Sequence, residues 1–367
     1  MILMNDFKAE PPKLREAMLM ATRRVLESGW YVLGEEVRHF ERAWAGECGV
    51  TYGVGVGNGM DAIEIGLRAL EIGPGDEVIT TPMTAFATVL AIFRAGATPV
   101  LADINSDTAL LSQESVKRCL TKRTRAVLLV HLYGQVGDMS SWINFCQANK
   151  IALIEDCAQA HLASTNDRKA GSFGRFGAFS FYPTKNLGAA GDAGMLVTDD
   201  ERLAEKARIL RNYGQSTRFQ HPELGLNSRL DELQAAMLSE RITWLSEFTA
   251  RRRKIATVYR EEICNSRVKL LADPPNMENH VYHLFVVSCA MRDALQDHLQ
   301  NAEVQTLVHY PVPAHQQKPC QGLLRDPHGL ENSEHHASRC LSIPCHPQMT
   351  DTDIVQVIKA VNSFDGA

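Results

Sequence analysis

The chain has no hydrophobic run long enough to cross a membrane, no surplus of positive charge and no paired-cysteine spacing. Its longest uncharged stretch, Val78–Phe93, is 16 residues long and holds Pro82 and four threonines, short of the ~20 apolar residues that a spanning helix needs. The start, MILMNDFKAEPP, lacks a basic patch and meets Asp6 at once, so no secretory signal is expected there. Lys and Arg number 38 against 43 Asp and Glu, a net charge of −5. That balance argues against a protein that binds nucleic acid or anionic lipid through bulk charge. The nine cysteines, an odd number, contain no C-x-x-C pair, and reduced thiols in a cytoplasmic protein are the expectation. Between His309 and His346 histidines and cysteines are frequent, but none has H-E-x-x-H or C-x-x-C spacing, so no metal site is expected. The basic run Arg251–Lys254 reads as the solvated face of a helix. Repeats and low-complexity tracts are absent.

What is present is a chain of 367 residues with 45% hydrophobic and 22% charged residues, which fits two globular domains. A chain of this size buries roughly 75% of the surface its unfolded form exposes, so it needs no disulfide or metal staple. Short β-branched runs alternate with helical patterns over the first two-thirds. Strands are expected at Tyr52–Val56, Glu77–Thr81, Thr98–Ala102, Ala126–His131, Ile151–Ile154, Ala178–Phe181 and Gly194–Thr198. Helices are expected at Asp61–Leu70, Thr84–Arg94, Ser112–Leu120, Met139–Asn149 and Asp200–Arg211. This rhythm predicts βαβ units, hence an α/β fold with a mostly parallel sheet flanked by helices. The carboxyl ends of such strands are where ligands bind. From Leu230 to Tyr259 a helical stripe predicts one long helix, opened by Ser228-x-x-Asp231, that leaves the large domain. The expected division is a large domain over 1–250 and a smaller α+β domain over 251–367. The smaller domain should hold a strand at Tyr282–Cys289 and helices at Arg292–Asn301 and Thr352–Ser363.

Three segments carry chemistry. In Phe176–Gly194 (FGAFSFYPTKNLGAAGDAG) an apolar strand delivers Ser180, and Lys185 follows Pro183 ahead of a glycine-rich run. Desolvation there would lower the amine's pKa and make it a nucleophile toward a carbonyl; the alternative is an ordinary loop lysine. In Ile151–Ala163 (IALIEDCAQAHLA) Asp156 ends a buried strand and Gln159 follows it. Such a carboxylate either pairs with a cationic ring nitrogen or caps the next helix. In Val54–Leu70 (VGVGNGMDAIEIGLRAL) a glycine-rich turn opens a helix, which suits a phosphate. Gly57-x-Gly59-x-x-Ala62 also matches a dinucleotide fingerprint. The acidic residue that fingerprint requires would be Asp76 or Glu77, and both precede their strand instead of ending it. His131, at another strand end, reads as a hydrogen-bonded structural histidine before a substrate contact.

Together, in this order and spacing, these segments resemble the DegT/StrS-type nucleotide-sugar aminotransferases. The resemblance extends through SGWYVLG (Ser28–Gly34), GPGDEVIT (Gly73–Thr80), VHLYGQ (Val130–Gln135), RNYG (Arg211–Gly214), GLNSRLDELQAA (Gly225–Ala236) and VHYPVPAHQQ (Val308–Gln317). It implies a pyridoxal-phosphate-dependent transferase of fold type I, the aspartate-aminotransferase fold. By the same resemblance Lys185 forms the Schiff base with pyridoxal 5′-phosphate and moves the proton, and Asp156 pairs with the ring nitrogen. Gln159 reaches the phenolic side of the ring, while Ser180 and the backbone amides of Gly59 and Met60 bind the phosphate. Asn227 reaches the phosphate in the neighbouring subunit's site, which implies a homodimer with shared sites; a cap beside Ser228 is the plainer role for it, and the two are compatible.

Two departures stand out. Met60 occupies a position that is often threonine in the family, and Ala85 falls where many members carry the aromatic that shields the ring, with Phe86 one place later. A dehydrating branch of the family carries histidine in place of the Schiff-base lysine, so Lys185 implies transamination, with glutamate as donor. The wording of FYPTKN and HYPVPAHQQ is similar to the subgroup that aminates C3 of dTDP-3-keto-6-deoxyhexoses. This implies Tyr182, His309 and Tyr310 around the hexose, with His309 and Tyr310 alternatively a structural turn before Pro311. Arg218 would meet the pyrophosphate, for which a guanidinium is well shaped. Rival readings are an aminotransferase for a free keto-cyclitol and a non-catalytic sensor or regulator. Arg218→Ala should weaken a diphosphate-linked substrate strongly and spare a free cyclitol; steady-state kinetics on the two substrates compares them.

Overall fold

The computed structural model describes residues 1–366. Two helices that the sequence pattern did not announce, α1 (Pro12–Ser28) and α2 (Glu35–Cys48), precede the first strand. The chain then runs β1 (Tyr52–Val56), α3 (Gly59–Ala69), β2 (Glu77–Thr80), α4 (Phe86–Arg94), β3 (Thr98–Leu101), α5 (Gln113–Cys119), β4 (Thr124–Val130), α6 (Met139–Asn149) and β5 (Ala152–Asp156). After a two-residue-per-strand hairpin, β6 (Ser164–Thr165) and β7 (Arg168–Lys169), come β8 (Gly177–Ser180), β9 (Gly194–Thr198) and α7 (Glu201–Leu210). All seven expected strands are present, each within two residues of its expected ends.

They form one sheet in the order β1-β9-β8-β5-β4-β2-β3. The pairs β8/β5, β5/β4, β4/β2 and β2/β3 are parallel, and β9 alone runs against its neighbours β1 and β8. Parallel strands are covered on both faces, which is why their sequences read as continuous apolar runs. In β4, Val127 and Leu129 enter the core shared with Phe40 and Trp44 of α2 and Trp142 of α6. Ala126 and Leu128 enter the opposite core, shared with Ile65 of α3, Ile92 of α4 and Leu203 of α7. Side-chain alternation along a strand dictates this division.

The long helix expected from Leu230 to Tyr259 is instead two. Helix α8 (Glu232–Arg241) ends in a 3-10 turn, Ile242–Trp244, before α9 (Leu245–Glu262). Leu238 and Leu245 belong to the large-sheet core, whereas Ile255, Ala256 and Tyr259 belong to a second core. The break turns the helical chain from one core to the other. Ser228 does not cap α8 either. Its hydroxyl donates to Asp61 Oδ2 at 2.7 Å and accepts the Gly57 N–H at 2.9 Å, so it is spent on the glycine-rich turn. Glu232, buried at the start of α8, accepts the N–H groups of Gly34, Glu36 and Val37 and so caps α2.

The remaining elements are β10 (Val268–Leu270), β11 (Phe285–Cys289), α10 (Arg292–Asn301), α11 (Glu331–Arg339), β12 (Cys340–Ile343) and α12 (Asp351–Asn362). Their strands make an antiparallel three-stranded sheet, β10-β11-β12. Ile2, at the other end of the chain, packs into the same core. We propose that the division between the two units falls within α9.

The run Arg251–Lys254 is a correction to the expected solvated face. Arg252 is buried, and its guanidinium donates to the carbonyls of Tyr282, His283 and Cys345. Arg251 reaches the Met349 carbonyl and Arg253 those of His280 and Glu278. These arginines clamp α9 to the second unit through its backbone, a use that composition cannot distinguish from solvation.

A second tie returns the C-terminal segment to the edge strand β3, where Leu101 exchanges backbone hydrogen bonds with Leu324 and Asp326. Burial works against charge on the Asp326 carboxyl, yet bonds from Arg118 and Ser115 and the His328 N–H outweigh it and hold the group at about 2. A depressed carboxylate stabilises the fold above its unfolded value and loses that stabilisation as pH falls through the folded one. Arg118→Met should therefore cost on the order of 1 kcal/mol at neutral pH, since Arg118 is partly open to solvent screening. The gap to the parent chain should close between about pH 4 and 2; denaturant melts across that range test it.

Candidate active site

The glycine-rich turn after β1, Asp156 at the end of β5 and Ser180 at the end of β8 share one edge of the sheet, because β1, β5 and β8 run in the same direction. Asn58 caps α3 by accepting the Asp61 N–H at 2.9 Å, leaving the N–H groups of Gly59 and Met60 in the first turn. The cup is tight. A Cβ on Gly59 would stand 2.7 Å from the Ser180 Cβ, and one on Gly194 would stand 2.3 Å from the Asn58 carbonyl carbon. Glycine at both places lets β8 and β9 press their backbones against the start of α3. The result is a helix N-terminus with a serine hydroxyl beside it, suited to a phosphate.

Lys185 follows on the turn after β8, its backbone N–H bonded to the Tyr182 carbonyl at 2.8 Å. Part of the side chain reaches the surface, but burial of the amine pushes its pKa down to about 8, against the opposing pull of Asp156. The surroundings contain more latent positive charge than negative. His161 lies in a cage of Trp44, Phe179 and Phe181; burial, then the Lys185 charge, lowers it to about 3. Burial and Lys185 lower His309 to about 4. His283 is pushed well below its ordinary value by burial, then by Lys185 and Arg252. All three rings are therefore neutral at physiological pH, and a neutral amine can act as nucleophile or base.

Gln159 faces this group with a defined orientation. Its Oε1 accepts the Tyr133 N–H at 2.5 Å, so its Nε2 points the other way and donates to the Tyr310 hydroxyl at 3.1 Å. Tyr133 holds a left-handed backbone (φ 61°) and donates its own hydroxyl to the His309 carbonyl. Burial first and the Asp156 charge second raise the Tyr310 hydroxyl to about 12. The structure thus brings together Lys185, Asp156, Gln159, Tyr310 and His309, with Ser180 and Gly59 forming the adjoining cup.

The other expected residues make no side-chain hydrogen bond to this group among the described residues. The Met60 side chain packs into the apolar core behind the cup. Tyr182 is exposed, with its backbone N–H on the Ser180 hydroxyl at 3.3 Å. Arg218 sits on the exposed loop between α7 and α8, its guanidinium over the Phe219 ring. Asn227 is exposed, and among the described residues its side chain has no hydrogen bond to this cluster. Phe86 packs toward Val89, Leu101 and Leu330, so the aromatic beside Ala85 faces the C-terminal segment. His131 is buried and bonded to Glu155 at 2.9 Å. Glu155, His131 and Cys157 form the one cluster with metal-ligand proximity among the described residues. Its carboxylate is already taken by His131 and the N–H groups of Gly171, Phe173 and Gly174.

Sequence reading missed His161, His283, Tyr133 and Thr88. For Thr88 a signal existed: it is a hydroxyl in the otherwise apolar stretch Phe86–Phe93, and a polar group on a buried helix face needs a partner.

The model for the DegT/DnrJ/EryC1/StrS aminotransferase family matches residues 12–362. The chain is similar, at 42% identity over 99% of both chains, to the dTDP-3-amino-3,6-dideoxy-alpha-D-galactopyranose transaminase of Aneurinibacillus thermoaerophilus. Its structure is similar to the crystal structure of DesV from S. venezuelae, with a TM-score of 0.94 and 40% identity over 98% of this chain and 97% of that one. It is similar also to NtdA from Bacillus subtilis with bound cofactor PMP, with a TM-score of 0.87 and 29% identity over 96% and 82%.

Keeping a charged amine out of water has a cost to the fold. An unfolded lysine titrates at 10.5 and the folded one at about 8. The unfolded chain therefore binds the extra proton between those values, and stability rises with pH across that window. In ligand-free protein Lys185→Met should melt higher than the parent below pH 8, by on the order of 2 kcal/mol. The advantage should shrink steadily from pH 8 toward 10, as read by denaturant melts.

Proposed function

Since the chain belongs to the DegT/DnrJ/EryC1/StrS aminotransferase family, we propose that it moves an amino group from an amino acid, glutamate in this reading, to C3 of a dTDP-3-keto-6-deoxyhexose. The family, and the similarity to a dTDP-sugar transaminase along the whole chain, support an enzyme acting on a nucleotide-linked keto-sugar. The observation that carries the assignment is the Lys185 amine, whose pKa burial lowers to about 8 with Asp156 nearby. Gln159 and the glycine-lined cup complete a donor set that fits pyridoxal 5′-phosphate.

Bound there, the cofactor supplies an electron sink for the carbon that loses its proton. Asp156 would pair with the ring nitrogen and hold its positive charge. Gln159, fixed by the Tyr133 N–H, would offer its Nε2 to the phenolic oxygen. Ser180 and the amides of Gly59 and Met60 would hold the phosphate, aided by the α3 dipole. Lys185 would be the residue that holds the cofactor and the group placed to move a proton as general base and acid.

Tyr182, His309 and Tyr310 border the hexose, and Arg218 meets the diphosphate. Arg218 and Asn227 are exposed and make no hydrogen bond to their own chain's Lys185 cluster, which leaves Asn227 free to serve the neighbouring subunit's site in a homodimer. Exposed Leu19, Met20, Leu26, Trp30 and Phe219 supply apolar surface for that contact. Among the described residues no helix is long and apolar enough to cross a membrane. All nine cysteines are free, which fits a cytoplasmic location.

The test is an absorption spectrum of the purified protein. A visible band that glutamate shifts, and that is lost or altered in Lys185→Ala, is the expected result. No band after addition of pyridoxal phosphate would sink the reading.

A further inference from the structure

Thr88, in the first turn of α4, is 1% exposed, and its hydroxyl donates to Asp156 Oδ2 at 2.8 Å. A threonine inside a helix commonly turns its hydroxyl to the carbonyl four residues back; Thr88 reaches across to the end of β5. Behind it, Thr84 lies 2.7 Å away, oxygen to oxygen, and is buried as well. The direction of the chain of bonds follows from proton counting. A hydroxyl has one proton to give and two lone pairs, and an ionised carboxylate only accepts. Thr88 gives its proton to Asp156, so it can only accept from Thr84, and Thr84 is the outer donor. Oδ1 of Asp156 meanwhile accepts the Ala158 N–H at 3.1 Å. Each carboxylate oxygen thus has one fixed donor within the protein, and the carboxylate is locked in rotation with lone pairs to spare.

We infer that Thr84 and Thr88 form a hydroxyl relay that orients Asp156 toward the cofactor's ring nitrogen, with Thr88 a positioning residue. This rests on the reading of Asp156 given above. A hydroxyl donating to a carboxylate favours its charged form, and that charge in turn favours a protonated ring nitrogen. Bonds in a buried chain also polarise one another, so the outer hydroxyl strengthens the inner one. A threonine with no such role would need only a local acceptor, and its loss would register in stability alone.

The experiment uses holoenzyme carrying Thr88→Val, Thr88→Ser, Thr84→Val or Asp156→Asn. Two quantities are read: the pH midpoint at which the visible band of the bound cofactor changes, and the cofactor dissociation constant by equilibrium dialysis. A protonated ring nitrogen disfavours a second proton nearby, so a weaker hold by Asp156 raises the midpoint. Thr88→Val, nearly isosteric, should raise the midpoint and weaken cofactor retention about tenfold, the loss expected for one hydrogen bond to a charged group. Thr88→Ser should restore both, and Thr84→Val should move both less in the same direction. A Thr88→Val holoenzyme that matches the parent in both readings, while Asp156→Asn departs, overturns the relay and leaves Asp156 in its role. If Asp156→Asn also matches the parent, the role of Asp156 falls with it. Should Thr88→Val fail to fold, Thr84→Val decides: no shift in either reading overturns the relay.

Discussion

The site depends on keeping one amine dry. Lys185 titrates at about 8 because burial removes water from its ammonium form, and Asp156 only partly offsets this. Everything around it serves the same constraint. His161, His283 and His309 lose their positive charge through burial and through repulsion from Lys185. The pocket therefore holds four basic groups near one carboxylate without accumulating four charges. A site of this kind is poised to accept anions, because each negative group that enters can draw a proton onto one of the neutral bases.

The dryness is assembled from both parts of the chain. Asp156, Gln159, Ser180 and Lys185 come from the ends of strands and turns of the large sheet, while His283, His309 and Tyr310 come from the segment near the small one. Tyr133 joins the two sources, with its N–H on Gln159 and its hydroxyl on the His309 carbonyl. The VHLYGQ motif, which in sequence shows only a tyrosine before a glycine, thus holds together the faces that must close around a ligand.

The large sheet was legible because buried parallel strands write themselves as β-branched runs between glycine-rich turns. Tyr52–Val56 and Gly194–Thr198 were recoverable to the residue. The site was legible where chemistry demands a residue type: a lysine after a strand, an aspartate at a strand end, glycines ahead of a helix. Other features had no such signature. Helix α2 begins at Glu35 with its cap supplied by Glu232, far along the chain, so no capping side chain stands at its own start. The stripe from Leu230 to Tyr259 looked continuous because hydrophobic periodicity does not record which core each residue enters. Arg252 was read as solvated because a sequence shows charge and not the carbonyls that surround it.

The grip of Arg251, Arg252 and Arg253 on main-chain oxygens of the second unit has a consequence for divergence. A carbonyl is the same whatever side chain stands beside it. The exposed side chain of Glu278 can change without loosening the joint that seats the unit against α9. The joint therefore depends on where the main chain of the second unit runs, and not on which side chain stands at an exposed contact of that kind.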